Sequence, residues 1–287
     1  MTRRRLLVRL LRWTLPLLLA PLALLLAFLA ADLLSPFPWA ALERPSSLEV
    51  VDRDGQPLRL FLAADDRWRF PVRLADLPPE LPAAVVAAED RRFYRHPGVD
   101  PLAIVRAAWG NLRAGRVVSG ASTIPMQIAR LSRRFEAGEA RPRTLDAKLV
   151  EAFRALQLDL HLSKDDLLET YLNLAPYGRN VEGVGAAARF WFDTTPERLS
   201  AGQIALLVAL PRSPGGYDPE RDCNRDVEPS GGDHLVPCIQ SGDLSLDQQD
   251  ALAAANDLVH LVHIVVARRA VDLQAGAMQF PICQIHP

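Results

Sequence analysis

The nineteen residues from Trp13 to Ala31 carry no charge, and Arg3, Arg4, Arg5, Arg9 and Arg12 stand just before them. At ~1.5 Å per residue, a helix of that length crosses a hydrocarbon core. Arginines on its N-terminal side keep that end in the cytoplasm and place the rest of the chain outside. A cleavable signal peptide is the alternative. Its apolar core is usually shorter, and no A-x-A site occurs between Trp13 and Leu42. The pattern predicts a basic cytoplasmic tail over 1–12, a transmembrane signal-anchor helix over 13–34 and a Pro-rich linker over 35–46. A domain over 47–221 and an unassigned tail over 222–287 follow.

The formal net charge of -1 points to no partner, and nucleic acid is not expected as one. The distribution says more. Arg91 to Arg154 holds thirteen basic and five acidic residues, whereas Asp222 to the C-terminus holds three basic and nine acidic. An anionic substrate is drawn to the first segment. Cys223, Cys238 and Cys283 match no zinc spacing, and an odd number leaves one without an intramolecular partner, so cysteine chemistry is not the activity.

Ser47 to Leu62 reads as a hairpin, with Leu48 and Val50 alternating, Asp54-Gly55 as the turn, and Leu58 and Leu60 alternating again. Trp68 to Val72 reads as a further short strand. From Leu81 the pattern is helical. Asp100-Pro101 starts one helix, and another spans about Thr144 to Leu162 with a stripe of Leu145, Leu149, Phe153, Leu156 and Leu160. Ser163 and Asp166 form a capping box for the next. Further helices are expected at Val184 to Phe192 and Leu199 to Leu210. The body is mainly α with a small β element.

Four polar blocks interrupt this pattern. Glu89-Asp90-Arg91-Arg92-Phe93-Tyr94-Arg95-His96-Pro97-Gly98 ends an apolar helix, and alone reads as a solvated helix end. Gly120-Ala121-Ser122-Thr123-Ile124-Pro125-Met126-Gln127 offers hydroxyls and a helix start to an anion, or an ordinary cap. Lys148-Leu149-Val150-Glu151 puts a cation and an acid on one helix face. Lys164 through Asn173 precedes Tyr177-Gly178 and the small residues Gly183 to Ala188, which let helices pack closely.

In this order the blocks resemble the motifs of the peptidoglycan glycosyltransferase family, found in bifunctional penicillin-binding proteins and monofunctional cell-wall polymerases. The first matches E-D-x-x-F-x-x-H-x-G. The second is similar to G-x-S-T-I-x-x-Q, with Met126 in place of a first Gln, and the third keeps K-x-x-E with Ala147 where an Arg usually precedes Lys148. The fourth is similar to K-x-x-L-x-x-Y-L-N with one residue of slack. Gln203 to Leu207 resembles E-x-A-x-L with Gln for Glu. The Met-Gln detail leans toward the penicillin-binding protein 1C type, and the resemblance spans about Leu48 to Pro219.

The resemblance implies a lysozyme-like glycosyltransferase domain, mainly α with a small β-hairpin element, preceded by one transmembrane helix in the bacterial inner membrane and lying on the periplasmic side. It implies lipid II and the growing glycan strand as substrates, joined by inverting transfer with release of lipid pyrophosphate. The membrane and other cell-wall synthases are the expected partners. Glu89 resembles the catalytic base, and a glutamate of ordinary acidity needs no tuning for that task at neutral pH. Glu151 resembles the second carboxylate, orienting Lys148 or a metal. Lys148, with Arg141, Arg143 or a divalent cation (Mg or Mn), would neutralise the leaving pyrophosphate. Asp90, Phe93, His96, Gly98, Ser122, Thr123, Gln127, Lys148 and Asn173 are the expected substrate-binding set.

A transpeptidase module needs S-x-x-K and K-T-G. No lysine follows Lys164, so peptide cross-linking is not expected, and the change of character from Cys223 suggests a shifted reading frame near Arg221. Two other readings stay open: a catalytically impaired scaffold that binds lipid II, and a lytic enzyme that cleaves glycan.

Overall fold

The structure, a computed structural model, describes residues 3–54, 57–116, 120–137 and 144–212, with the side chains of its first helix from Leu19 onward. The chain divides into two compact units, Met1–Ala40 and Ala41–Pro287. The expected tail over 222–287, with its cysteines, lies outside the described residues, as do Arg141 and Arg143.

The first unit is built on α1 (Arg3–Leu34). Among the described residues, no helix is long and apolar enough to cross a membrane.

The second unit begins with an antiparallel hairpin, β1 (Leu48–Val51) and β2 (Pro57–Phe61), in which Leu48 faces Phe61 and Val50 faces Arg59. Gly55 of the expected turn lies outside the described residues. The alternation that marks these strands does not mark burial, because Leu48, Val50 and Leu58 are exposed on a sheet of only two strands. Trp68 to Val72 is not a strand. Trp68 makes one isolated bridge to Val181, and side chains hold the backbone beyond it. Ser47 Oγ accepts from the Arg69 N–H, and Asn173 Oδ1 accepts from the Val72 N–H.

Helices then dominate. α2 (Glu80–Glu89) leads into a tight loop, and α3 (Pro101–Ala114) starts where Asp100 accepts from the Leu102 and Ala103 N–H groups, with Pro at the first helical position. α4 (Ile124–Ala137) and α5 (Leu145–His161) follow. α6 (Lys164–Leu174) opens on the expected Ser163–Asp166 capping box, α7 is Val184–Phe192, and α8 (Ala201–Ala209) opens on a Ser200–Gln203 box. Gln203, where the family pattern has Glu, accepts from the Ser200 N–H at 2.9 Å, a task either residue performs.

α4 packs on α5 and α6, while α2 packs on α8. Leu81, Ile124, Ile128, Leu158, Leu167, Leu172 and Leu207 are fully buried, each contributing about 1.5–3 kcal/mol of apolar burial. The small-residue run has the packing role expected of it. A Cβ on Gly185 would stand 2.1 Å from the Phe70 carbonyl oxygen, so only glycine lets α7 lie on that segment.

The apolar stripe expected on α5 is overturned. Leu145, Leu149 and Leu160 point to the outside, and the inward face carries Ala147, Glu151, Ala155, Gln157 and Leu158. Polar Glu151 and Gln157 occupy the buried face, so hydropathy alone selects the wrong side of this helix.

Candidate active site

Glu89 is the last residue of α2, and its Oε2 accepts a hydrogen bond of 2.8 Å from Gln127 Nε2 in the first turn of α4. Asp90 turns inward directly after it. Its carboxylate lies 3.0 and 3.1 Å from His96 Nε2 and accepts from the Ile124 N–H at 3.1 Å. A carboxylate at a helix N-terminus is favourably placed against the helix dipole, so Asp90 pins the end of α2 to the start of α4. His96 thus turns Nε2 toward the Asp90 carboxylate, and its Nδ1 is buried without a hydrogen-bond partner among the described residues.

The loop from Phe93 to Gly98 is wedged against α5. Gly98 has φ of +73°, and a Cβ there would sit 2.4 Å from the Ala155 carbonyl oxygen. Thr123 donates its hydroxyl to the Gly98 carbonyl, tying the loop to α4. Asp90, Phe93, His96, Gly98 and Thr123 are therefore buried in protein–protein contacts. They build the wall that carries Glu89.

A second cluster lies on α5. Lys148 Nζ donates to Ser122 Oγ at 3.0 Å and to Glu151 Oε2 at 2.7 Å. The Lys148 side chain is 37% exposed and that of Glu151 8%, so the ammonium faces outward with its counter-ion behind it. Ser122 and Gln127 bracket the start of α4, so one helix terminus touches both clusters. The arrangement offers a carboxylate held by an amide and an ammonium held by a carboxylate and a hydroxyl: a base and an anion site.

Asn173 is not brought into either cluster. Its amide donates to the carbonyls of Val72 (2.8 Å) and Glu169 (3.0 Å) and accepts from the Val72 N–H (2.9 Å), so it fastens the loop at Val72 to α6. Tyr177, not among the expected site residues, is fully buried, and its phenol is pushed above the usual tyrosine range by burial first and by the charge of Glu89 second. Its place in the Tyr177-Gly178 pair after the fourth block was the available signal. At Ala147, where the family pattern has an arginine, Arg133 of α4 donates to the backbone carbonyl at 3.2 Å, bringing a guanidinium to that point from another helix.

A divalent cation was a candidate helper. Glu151 is already engaged by Lys148, and among the described residues no group of three or more His, Cys, Asp or Glu stands together as metal ligands. The described residues alone therefore do not build a metal cage.

Comparison with known proteins agrees with this geometry. Residues 54–229 match the family model described as Transglycosylase. The chain is 43% identical over 202 residues to penicillin-binding protein 1C of Escherichia coli (strain K12), covering 70% of this chain and 25% of that protein. It is 39% identical over 180 residues to penicillin-binding protein 1A of the same organism (63% and 20%) and 41% identical over 175 residues to penicillin-binding protein 1A of Aquifex aeolicus (strain VF5) (61% and 23%). The chain thus spans about a quarter of the length of these relatives. A match over more than half of the chain, covering every polar block that builds the two clusters, shows that this chain belongs to the transglycosylase family.

Proposed function

We propose that the chain is a peptidoglycan glycosyltransferase that polymerises lipid II, with its catalytic domain over 47–221. The observation that carries this reading is the pairing of Glu89, held by Gln127, with Lys148, held by Ser122 and Glu151, around one helix terminus. The 4-hydroxyl of the incoming sugar attacks the anomeric carbon of the growing strand. The new C–O bond forms as the bond to the lipid pyrophosphate breaks, with inversion. Glu89 takes the hydroxyl proton, a contribution of about 10²–10⁴-fold for a positioned base. Lys148 and Ser122 face the charge developing on the pyrophosphate, where one such donor contributes about 10²–10³-fold. Glu151 holds the ammonium in place.

The lipid tail of such a substrate stays in the bilayer, and two features favour a protein that works there. One is the uncharged stretch Trp13 to Ala31 within α1. The other is α3, where Leu102, Val105, Trp109 and Leu112 are exposed on one face while Ala103 and Ala107 pack inward. We place the protein in the inner membrane with this domain periplasmic.

Purified protein given labelled lipid II is expected to yield long glycan and free lipid pyrophosphate, and to release no soluble fragments from isolated peptidoglycan. Fragment release without polymer would replace this reading with the lytic one, and binding of lipid II without turnover would favour the scaffold.

A further inference from the structure

Lys164 belongs to a motif block but touches neither cluster. It stands at the first position of α6, with its side chain 25% exposed. Its Nζ donates to the His96 carbonyl at 2.7 Å and to the Asp159 carboxylate near the end of α5, and it lies 4.9 Å from the centre of the Phe93 ring. One ammonium thus clasps both ends of the turn from Phe93 to His96. Beyond that turn the links run inward: the His96 ring to Asp90, Asp90 to the Ile124 N–H, and Glu89, adjacent to Asp90, to Gln127. A simple α5–α6 ion pair would need only Asp159. The additional bond to a backbone carbonyl and the seat over a buried ring aim the cation at the loop that carries Glu89.

We propose that Lys164 is a positioning residue, which sets the posture of Glu89 through the His96–Asp90 link and never meets the substrate. The inference rests on the glycosyl-transfer reading above. Misplacing a reacting group by about 1 Å costs on the order of 10²-fold in rate, so partial loosening at one remove is expected to cost on the order of tenfold.

The test uses the full chain in detergent with labelled lipid II. Lys164→Met is expected to lower kcat about tenfold with KM within about twofold. Lys164→Gln, which keeps a donor for the His96 carbonyl, is expected to recover most of that loss. Combined with Gln127→Ala, Lys164→Met is expected to cost less than the product of the two single losses, because both act on the same carboxylate. An unchanged kcat in Lys164→Met, a rise confined to KM, or losses that multiply independently would overturn the inference. If Lys164→Met fails to fold, Lys164→Gln and its cycle with Gln127→Ala decide alone. Glu89→Gln run alongside separates the two claims. An inactive Glu89→Gln with normal Lys164 variants sinks only the positioning role, while an active Glu89→Gln sinks the reading beneath it.

Discussion

Lys148→Met removes one partner from an ion pair whose two members differ sharply in exposure, and the asymmetry sets the magnitude. Breaking a fully buried pair from one side costs about 3–5 kcal/mol, because the remaining charge is stranded. Glu151 is nearly that buried, but Lys148 is 37% exposed, so water reaches the vacated site and about 2 kcal/mol is the expected loss. In a domain of this size that lowers Tm by roughly 4–8 °C. The reverse change, Glu151→Gln, leaves a lysine that turns into solvent, and should cost below about 1 kcal/mol. Urea unfolding of both variants and of the double variant, followed by far-UV circular dichroism, reads this difference. Equal losses, or a larger loss for Glu151→Gln, would refute the assignment of Glu151 as the buried, dependent member. Activity gives an independent check: Lys148→Met is expected to lose about 10²–10³-fold in kcat if the ammonium stabilises the leaving group.

Gly98→Ala places a Cβ 2.4 Å from a backbone oxygen at a φ of +73°; the strain and clash are expected to destabilise by about 2–5 kcal/mol, measured by urea unfolding. Asn173→Ala strands the Val72 N–H and is expected to cost about 1–3 kcal/mol, measured by urea unfolding. The side-chain hydrogen bond from Arg69 holds the Asp65 carboxyl below its ordinary range, so its stabilisation is present above the unfolded-state value of ~3.9 and is lost as pH falls through the lower folded-state value. Asp65→Asn is therefore expected to flatten the fall in stability below about pH 4 in an acid titration.

The helical framework was legible because its signals are local. Asp100-Pro101, the Ser163–Asp166 box and the small residues before Phe192 each fix a start or a packing face without reference to distant partners. Tertiary demands overrode the pattern elsewhere. On α5, Leu145, Leu149 and Leu160 face outward while Glu151, the partner of Lys148, takes the buried face. The segment after Trp68 has strand-like residues but gives its hydrogen bonds to Ser47 and Asn173. The site divides the same way. The order of the blocks placed Glu89, Gln127, Ser122, Lys148 and Glu151 together, and the geometry unites them in two clusters. Asp90, Phe93, His96, Gly98 and Thr123 are buried in the loop behind Glu89 and its contacts with α4, and Gly98 alone leaves room for the Ala155 carbonyl.

The most direct test of the central claim is the rate of lipid II polymerisation by Glu89→Gln beside the wild type, with lipid II binding measured on both. The account predicts polymer from the wild type, a fall of at least about 10²-fold in kcat for the variant, and binding that stays within a few-fold. Polymer formed by Glu89→Gln at the wild-type rate would contradict it.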